Sequence, residues 1–239
     1  MSFNTTITPG GYQTILSDGT VIWREAGSNV TGEISILDLH AYWRDPSNYS
    51  EKNNFNYEKD YLKCSERSIK LVELFNKYAS NDDKILELGC NVGRNLHYLY
   101  SGGYHNLMGI DINRKAIELG LQHYTELSKD NFICGEIGGE LNTIKPDSYD
   151  IIFTMAVLEH IHPKEQHIFF NMVRIASKFI ITIEDEDAVY WRAFSYRYKD
   201  LFEYLNCKEL ESFQLLCKND IDNSGDCTLT YRVFKKDKK

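Results

Sequence analysis

The sequence predicts an α/β fold: a Rossmann-like, seven-stranded, mostly parallel sheet with an antiparallel last strand, helices on both faces, and an N-terminal β-hairpin and lid extension. Three observations predict it. Ile85 to Leu88 form a short apolar run that breaks at the glycine turn Gly89-Cys-Asn-Val-Gly93 and resumes as a helical stretch from Arg94 to Tyr100. One helix later a second apolar run, Leu107 to Ile112, carries Asp111 at its end. A further apolar run, Asp150 to Phe153, leads into Thr154-Met-Ala156. Strand, glycine turn, helix, strand and terminal acid make half of a nucleotide-binding unit, in which the glycines admit a ligand close to the backbone and the acid can accept ribose hydroxyls.

The other elements follow in chain order. Tyr12 to Trp23 holds an Asp18-Gly19 turn between two β-rich runs, the signature of a hairpin. Such a hairpin is marginal alone, so it must serve as an accessory cover, a homodimer contact or an edge extension of the main sheet. Ile34 to Asp60 is long and polar, with Tyr42, Trp43 and Arg44 just before Pro46, which interrupts any helix there. It reads either as a segment closing over a ligand or as a surface loop anchored by its aromatics. Leu62, Ile69, Val72, Leu74, Phe75 and Tyr78 give Tyr61 to Ala79 a helical period. Arg114 to Leu127 reads as another helix, Phe132 to Cys134 as a third strand, and Phe179 to Ile183 as a fifth, ending at Glu184 and Asp185. The aromatic run Tyr190 to Phe202 has helical spacing, and Ser212 to Cys217 with Thr228 to Phe234 form an end hairpin. The expected division is an extension over residues 1–60 and one domain over 61–239.

Composition narrows the function. At 42% hydrophobic and 26% charged residues over 239, the chain has the balance of a folded, soluble domain. Its formal charge of −8 disfavours a dedicated nucleic-acid binder, which needs a basic face. No apolar run reaches the length of a membrane span, and the N-terminus lacks a signal peptide's regions. Six scattered cysteines without a C-x-x-C pair point to reduced thiols in a cytoplasmic protein.

The glycine turn decides between two cofactor types. Its spacing is G-x-x-x-G, with Asn91 where a dinucleotide turn needs its middle glycine, and Glu87 stands two residues before Gly89. This resembles the first motif, [DE]-x-G-x-G-x-G, of the class I S-adenosylmethionine-dependent methyltransferases, matching at Glu87, Gly89 and Gly93. Asn tolerates the left-handed backbone that the replaced glycine would supply. The run from Phe153 through Leu158-Glu-His-Ile161 is similar to the fourth-strand motif of small-molecule members. The resemblance covers Tyr61 to Lys235 and implies that S-adenosyl-L-methionine lies along Glu87, Gly89, Cys90, Asn91, Gly93, Asn95, Asp111 and Ile112. Glu136 would take the adenine amino group, Ile137 would sit against the ring, and Thr154, Met155 and Ala156 would line the methionine side.

Methyl transfer needs chiefly alignment of a nucleophile, and a general base helps when that nucleophile is a hydroxyl. His160 and His162, after the fourth strand, and Glu184 and Asp185, after the fifth, are the candidate bases. Tyr42, Trp43, Arg44, Tyr190 and Trp191 are the candidate acceptor-binding residues. Some relatives hold a metal near Glu159, His160 and His162, but Ala156 stands where those proteins tend to have an acid, so no required metal is expected. No Asp/Asn-Pro-Pro-Tyr motif is present, which leaves a small polar acceptor as the expected partner. Tyr42-Trp-Arg-Asp-Pro46, Glu66-Arg-Ser68 and Leu86 to Leu96 look similar to methyltransferases of bacterial surface-polysaccharide (capsule and O-antigen) biosynthesis, implying O-methylation of a sugar, sugar nucleotide or phosphoramidate-type group. A non-catalytic cofactor-binding subunit beside a paralogous enzyme is the rival, and a nicotinamide reductase a distant third.

Overall fold

In a computed structural model, residues 4–8, 11–27, 31–48, 61–62, 66–217 and 227–237 are described. The main sheet has seven strands: β5 (Ile85–Leu88), β6 (Leu107–Asp111), β7 (Phe132–Cys134), β8 (Tyr149–Met155), β9 (Ala176–Glu184), β10 (Cys207–Cys217) and β11 (Cys227–Lys236). Their spatial order is β10-β11-β9-β8-β5-β6-β7, with β5 to β9 parallel and β11 antiparallel to both its neighbours. All four residues of β5 are buried, as a central parallel strand covered on both faces requires. Chain order reverses beside β5: β6 and β7 build out on one side, and β8 returns to the other. Such a switch point opens a crevice at the carboxyl ends of the strands.

Six helices accompany this sheet: α2 (Glu66–Tyr78), α3 (Arg94–Ser101), α4 (Arg114–His123), α5 (Ile137–Thr143), α6 (His167–Ile175) and α7 (Tyr198–Tyr204). Their apolar stripes form two cores, one around Phe75, Leu96, Leu99 and Phe153, the other around Ile152, Phe169, Met172 and Phe202. Among the described residues no helix is long and apolar enough to cross a membrane.

The N-terminal hairpin proves to be half of a separate four-stranded antiparallel sheet, β1 (Asn4–Thr8), β2 (Gly11–Ile15), β3 (Val21–Glu25) and β4 (Gly32–Ile34). The Asp18-Gly19 turn lies between β2 and β3 as its chemistry dictates: Gly19 has φ 82°, and Asp18 accepts from the Thr20 N–H at 2.9 Å. Helix α1 (Ile36–Arg44) follows, its start closed by a capping box between Ser35 and Asp38. Asp45 and Pro46 end it, so Tyr42, Trp43 and Arg44 stand on its last turn. A third core of Val21, Ile34, Leu39 and Phe194 joins this layer to the chain beyond β9.

The structure corrects two local expectations. The run from Tyr190 to Phe202 is not one helix: only Tyr198–Tyr204 is helical, and residues 190–197 form an irregular strap with a Tyr190–Ala193 bridge. Its aromatics serve two cores, Trp191 and Phe194 the N-terminal layer and Tyr198 and Phe202 the main domain, which no single helical face can do. The helix from Arg114 stops at His123, where Tyr124 N–H bonds back to Gly120 and the ring is buried. Residues 137–143, which carry no sequence assignment, form a helix opening at Glu136 that buries Leu141.

Candidate active site

Gly89 leaves β5 with φ 71°, and a Cβ there would lie 2.4 Å from Val157 Cγ2. Asn91 takes the left-handed conformation (φ 49°), the role glycine plays in the fuller motif. Its N–H donates to Asp111 Oδ2 at 2.7 Å, while Asp111 Oδ1 accepts from the Asn113 N–H at 2.8 Å. The acid at the end of β6 is thereby aimed across the glycine turn, with a lone pair left on each oxygen. Burial pushes its carboxyl up to about 6, against those two N–H bonds.

These groups line a cavity over the carboxyl ends of β5, β6 and β8, together with Ile112, Glu136, Ile137, Met155, Ala156, Val157 and His160. Helix α1 supplies the roof through His40 and Trp43, and Tyr61, Arg67 and Arg94 close another side. Arg44 pairs with Glu136 at the rim. His40 bridges the same acid and Glu165, at 3.5 and 3.4 Å. Hydrogen bonding to Glu165, opposed by burial, raises the His40 pKa.

Five residues of the expected cofactor set stand behind the cavity wall: Glu87, Cys90, Gly93, Asn95 and Thr154. Asn95 donates to Glu87 Oε1 at 2.7 Å, and Ser68 donates to Asn95 Oδ1 at 2.7 Å, tying α2 and α3 to β5. Glu87 Oε2 is buried and has no hydrogen-bond partner among the described residues. Burial, partly offset by Asn95, drives this carboxyl up to about 8. Cys90 is buried beneath β6, packed where a Gly109 Cβ would be, and Thr154 donates to Glu184.

The four candidate bases are separated. His160 alone lines the cavity. Its Nδ1–H donates to Arg192 O at 2.8 Å, so its lone pair is on Nε2, and burial pushes its pKa down to about 3. His162 is buried with both nitrogens engaged, Nε2–H donating to Ile34 O at 3.1 Å and Nδ1 accepting from the Lys164 N–H at 3.1 Å. Glu184 has no exposed surface, and Asp185 turns to the Asp187 N–H at 3.2 Å. The acceptor-binding candidates divide similarly. Tyr42, Trp43, Tyr190 and Trp191 surround the Arg192 guanidinium at 4.8 to 5.8 Å from their ring centres, and of the four only Trp43 also lines the cavity, its ring 4.4 Å from that of His160. Sequence reasoning gave no role to His40, Arg67, Arg94, Val157, Ile161 and Glu165, which also line the cavity; Arg67, Arg94, Val157 and Ile161 lie within the quoted motifs, whereas His40 and Glu165 lie outside them and converge from separate elements. Among the described residues no three His, Cys, Asp or Glu side chains are placed to hold a metal ion.

The glycine cradle, the carboxyl of Asp111 and the apolar Ile112, Ile137 and Ile168 suit a nucleoside. Residues 85–178 match a family model described as a methyltransferase domain. Over that span the chain is similar to methyltransferase domains, and its seven-stranded sheet has the fold of solved S-adenosylmethionine-dependent methyltransferases. Among solved structures it resembles magnesium protoporphyrin IX methyltransferase from Synechocystis PCC 6803 with bound S-adenosylhomocysteine (12% identity, TM-score 0.62, covering 85% of this chain and 100% of that one). A Methanosarcina mazei S-adenosylmethionine-dependent methyltransferase is similar at 18% identity and TM-score 0.56, covering 68% and 96%. A TehB-like enzyme from Corynebacterium glutamicum is similar at 17% and 0.52, covering 85% and 100%. No curated protein matches the sequence.

Proposed function

We propose that this chain transfers a methyl group from S-adenosylmethionine to a hydroxyl or similar oxygen of a small polar acceptor, and that the acceptor is a sugar, sugar nucleotide or phosphoramidate-type group of surface-polysaccharide biosynthesis. The observation that carries the methyl-transfer reading is one cavity lined by Asp111, Glu136 and His160, the last with its Nδ1–H on Arg192 O and its Nε2 3.5 Å from Glu159 Oε1. The acceptor class rests on the sequence resemblance alone. When bound, the cofactor supplies an activated methyl on a positively charged sulfur. The chain's part is to seat and align. Asp111 would accept the ribose hydroxyls and Glu136 the adenine amino group, while Glu87 would brace the glycine turn from behind through Asn95. Ile112 and Ile137 would flank the ring. His160 would take the acceptor's proton on Nε2, its ring held by the Arg192 carbonyl. The extension over residues 1–60, of which 49–60 lie outside the described residues, is proposed to act as the lid, since α1 roofs the cavity.

Calorimetric titration tests the cofactor. S-adenosylhomocysteine is expected to bind, NADH not, and Asp111→Ala to weaken binding at least tenfold. Binding of NADH in preference would sink the reading. Activity of the purified chain alone on sugars, nucleotide sugars and phosphorylated sugars tests the acceptor, and none with any of them would remove the polysaccharide assignment.

A further inference from the structure

Glu184 ends β9 with no exposed surface, yet its carboxyl gathers three donors from the exit of the neighbouring strand β8. Oε1 accepts from the Thr154 hydroxyl at 2.6 Å, and Oε2 accepts from the backbone N–H groups of Val157 and Leu158 at 2.8 and 3.0 Å. The loop it grips needs gripping. Ala156 has φ 54°, a conformation that side chains with a Cβ rarely adopt. The Ala156 N–H adds a bond to Ile183 O at 2.8 Å. Val157 is thereby pressed onto Gly89 so closely that only a glycine fits beneath it. Gly89, Ala156 and Val157 all line the cavity. The grip is reciprocal, because Glu159, in the β8 exit, accepts the Asp185 N–H at 2.8 Å from the β9 exit.

We propose that Glu184 is a positioning residue: it holds Ala156, Val157 and Leu158 in the one shape that completes the cofactor wall, and it acts through their backbone, not by accepting a proton from the acceptor. The inference rests on the methyl-transfer reading of the same cavity. A carboxyl enclosed by three donors and lacking any surface has no route to a reacting hydroxyl. Burial, followed by the charge of Glu159, raises the Glu184 pKa well above the usual carboxylate range. Glutamine keeps the grip: its oxygen can accept both N–H groups while its amide pairs with the Thr154 oxygen. Alanine instead leaves the two backbone N–H groups buried and unpaired.

The experiment compares wild type, Glu184→Gln, Glu184→Ala and Thr154→Val by calorimetric titration with S-adenosylhomocysteine and by hydrogen exchange. Glu184→Gln is expected within about threefold of wild-type affinity, with exchange over 155–161 unchanged. Glu184→Ala is expected to lose at least tenfold, with faster exchange over 155–161 and none over 85–111. Wild-type affinity in Glu184→Ala, or a loss in Glu184→Gln equal to that in alanine, would overturn the proposal. If the alanine variant does not fold, Thr154→Val decides: a loosened 155–161 segment with an intact 85–111 supports the grip, and no change refutes it. Failure of the wild type to bind overturns the cofactor reading, a result distinct from any difference among the variants.

Discussion

His160 illustrates how burial tunes single residues here. Its ring is held with Nδ1–H on a backbone carbonyl, and a pKa pushed down to about 3 keeps it neutral across the working range. Nε2 is therefore never blocked by its own proton at neutral pH. His160→Asn is expected to lower kcat about 100-fold, in the range general-base groups contribute, with S-adenosylhomocysteine affinity within threefold of wild type. Unchanged turnover would remove His160 as base. The acid limb of the kcat/KM profile belongs elsewhere. Asp111, pushed up to about 6, must ionise to accept two hydroxyls well, so cofactor capture should weaken as pH falls through about 6. That limb should persist in His160→Asn and move in Asp111 variants.

Helix α1 is the element that turns an open crevice into a covered cavity. Its N-terminus is fixed by the Ser35–Asp38 box, and its far end is tied at two points, Arg44 to Glu136 and, just beyond the helix, Asp45 to Lys115 at 2.7 Å. The Arg44 and Glu136 side chains are 48% and 43% exposed, so their pairing is worth at most about 1 kcal/mol to stability. Its position matters more than its strength, because Glu136 is also the proposed adenine acceptor. Arg44→Ala should accordingly leave the melting temperature within about 2–4 °C of wild type while speeding S-adenosylhomocysteine dissociation. A stopped-flow release rate equal to wild type would show that α1 is not a lid.

Across the whole molecule, the buried acids make stability depend on pH in an uncommon direction. Glu87 and Glu159 have folded pKa values of about 8 and 7, both raised by burial. A carboxyl raised in the folded state binds its proton more tightly there, so its stabilising contribution is full below the unfolded value and is lost as pH climbs through the folded one. His160 and His162, both lowered, work the other way but are spent above about pH 6.5. His40, raised, adds to the fall. Between pH 6.5 and 8 the ligand-free protein should lose on the order of 2 kcal/mol, about 4–8 °C in melting temperature. A flat or rising profile for the ligand-free protein would contradict the burial of these acids.

What the sequence by itself determined is the part of the molecule built from local signals. The apolar run before Gly89, the left-handed-tolerant Asn91, the strand-terminal Asp111 and the Asp18-Gly19 turn each act within a few residues of themselves, and each stands where its chemistry requires. They were enough for the order of elements in the main sheet and for the glycine turn with Asp111 beside it. Tertiary structure alone decided the rest. Whether a histidine or acid after a strand faces ligand or core depends on what packs beside it: His160 and His162 are two residues apart, yet the Arg192 carbonyl holds one at the cavity and the Ile34 carbonyl draws the other away. The strap over residues 190–197 has a helix's spacing of aromatics but is pulled between two cores. The roof from α1 and the grip of Glu184 on the β8 exit join residues separated by tens to more than a hundred positions. Spacing along the chain carries no information about such partners, because burial and hydrogen-bond satisfaction are settled only when the elements meet.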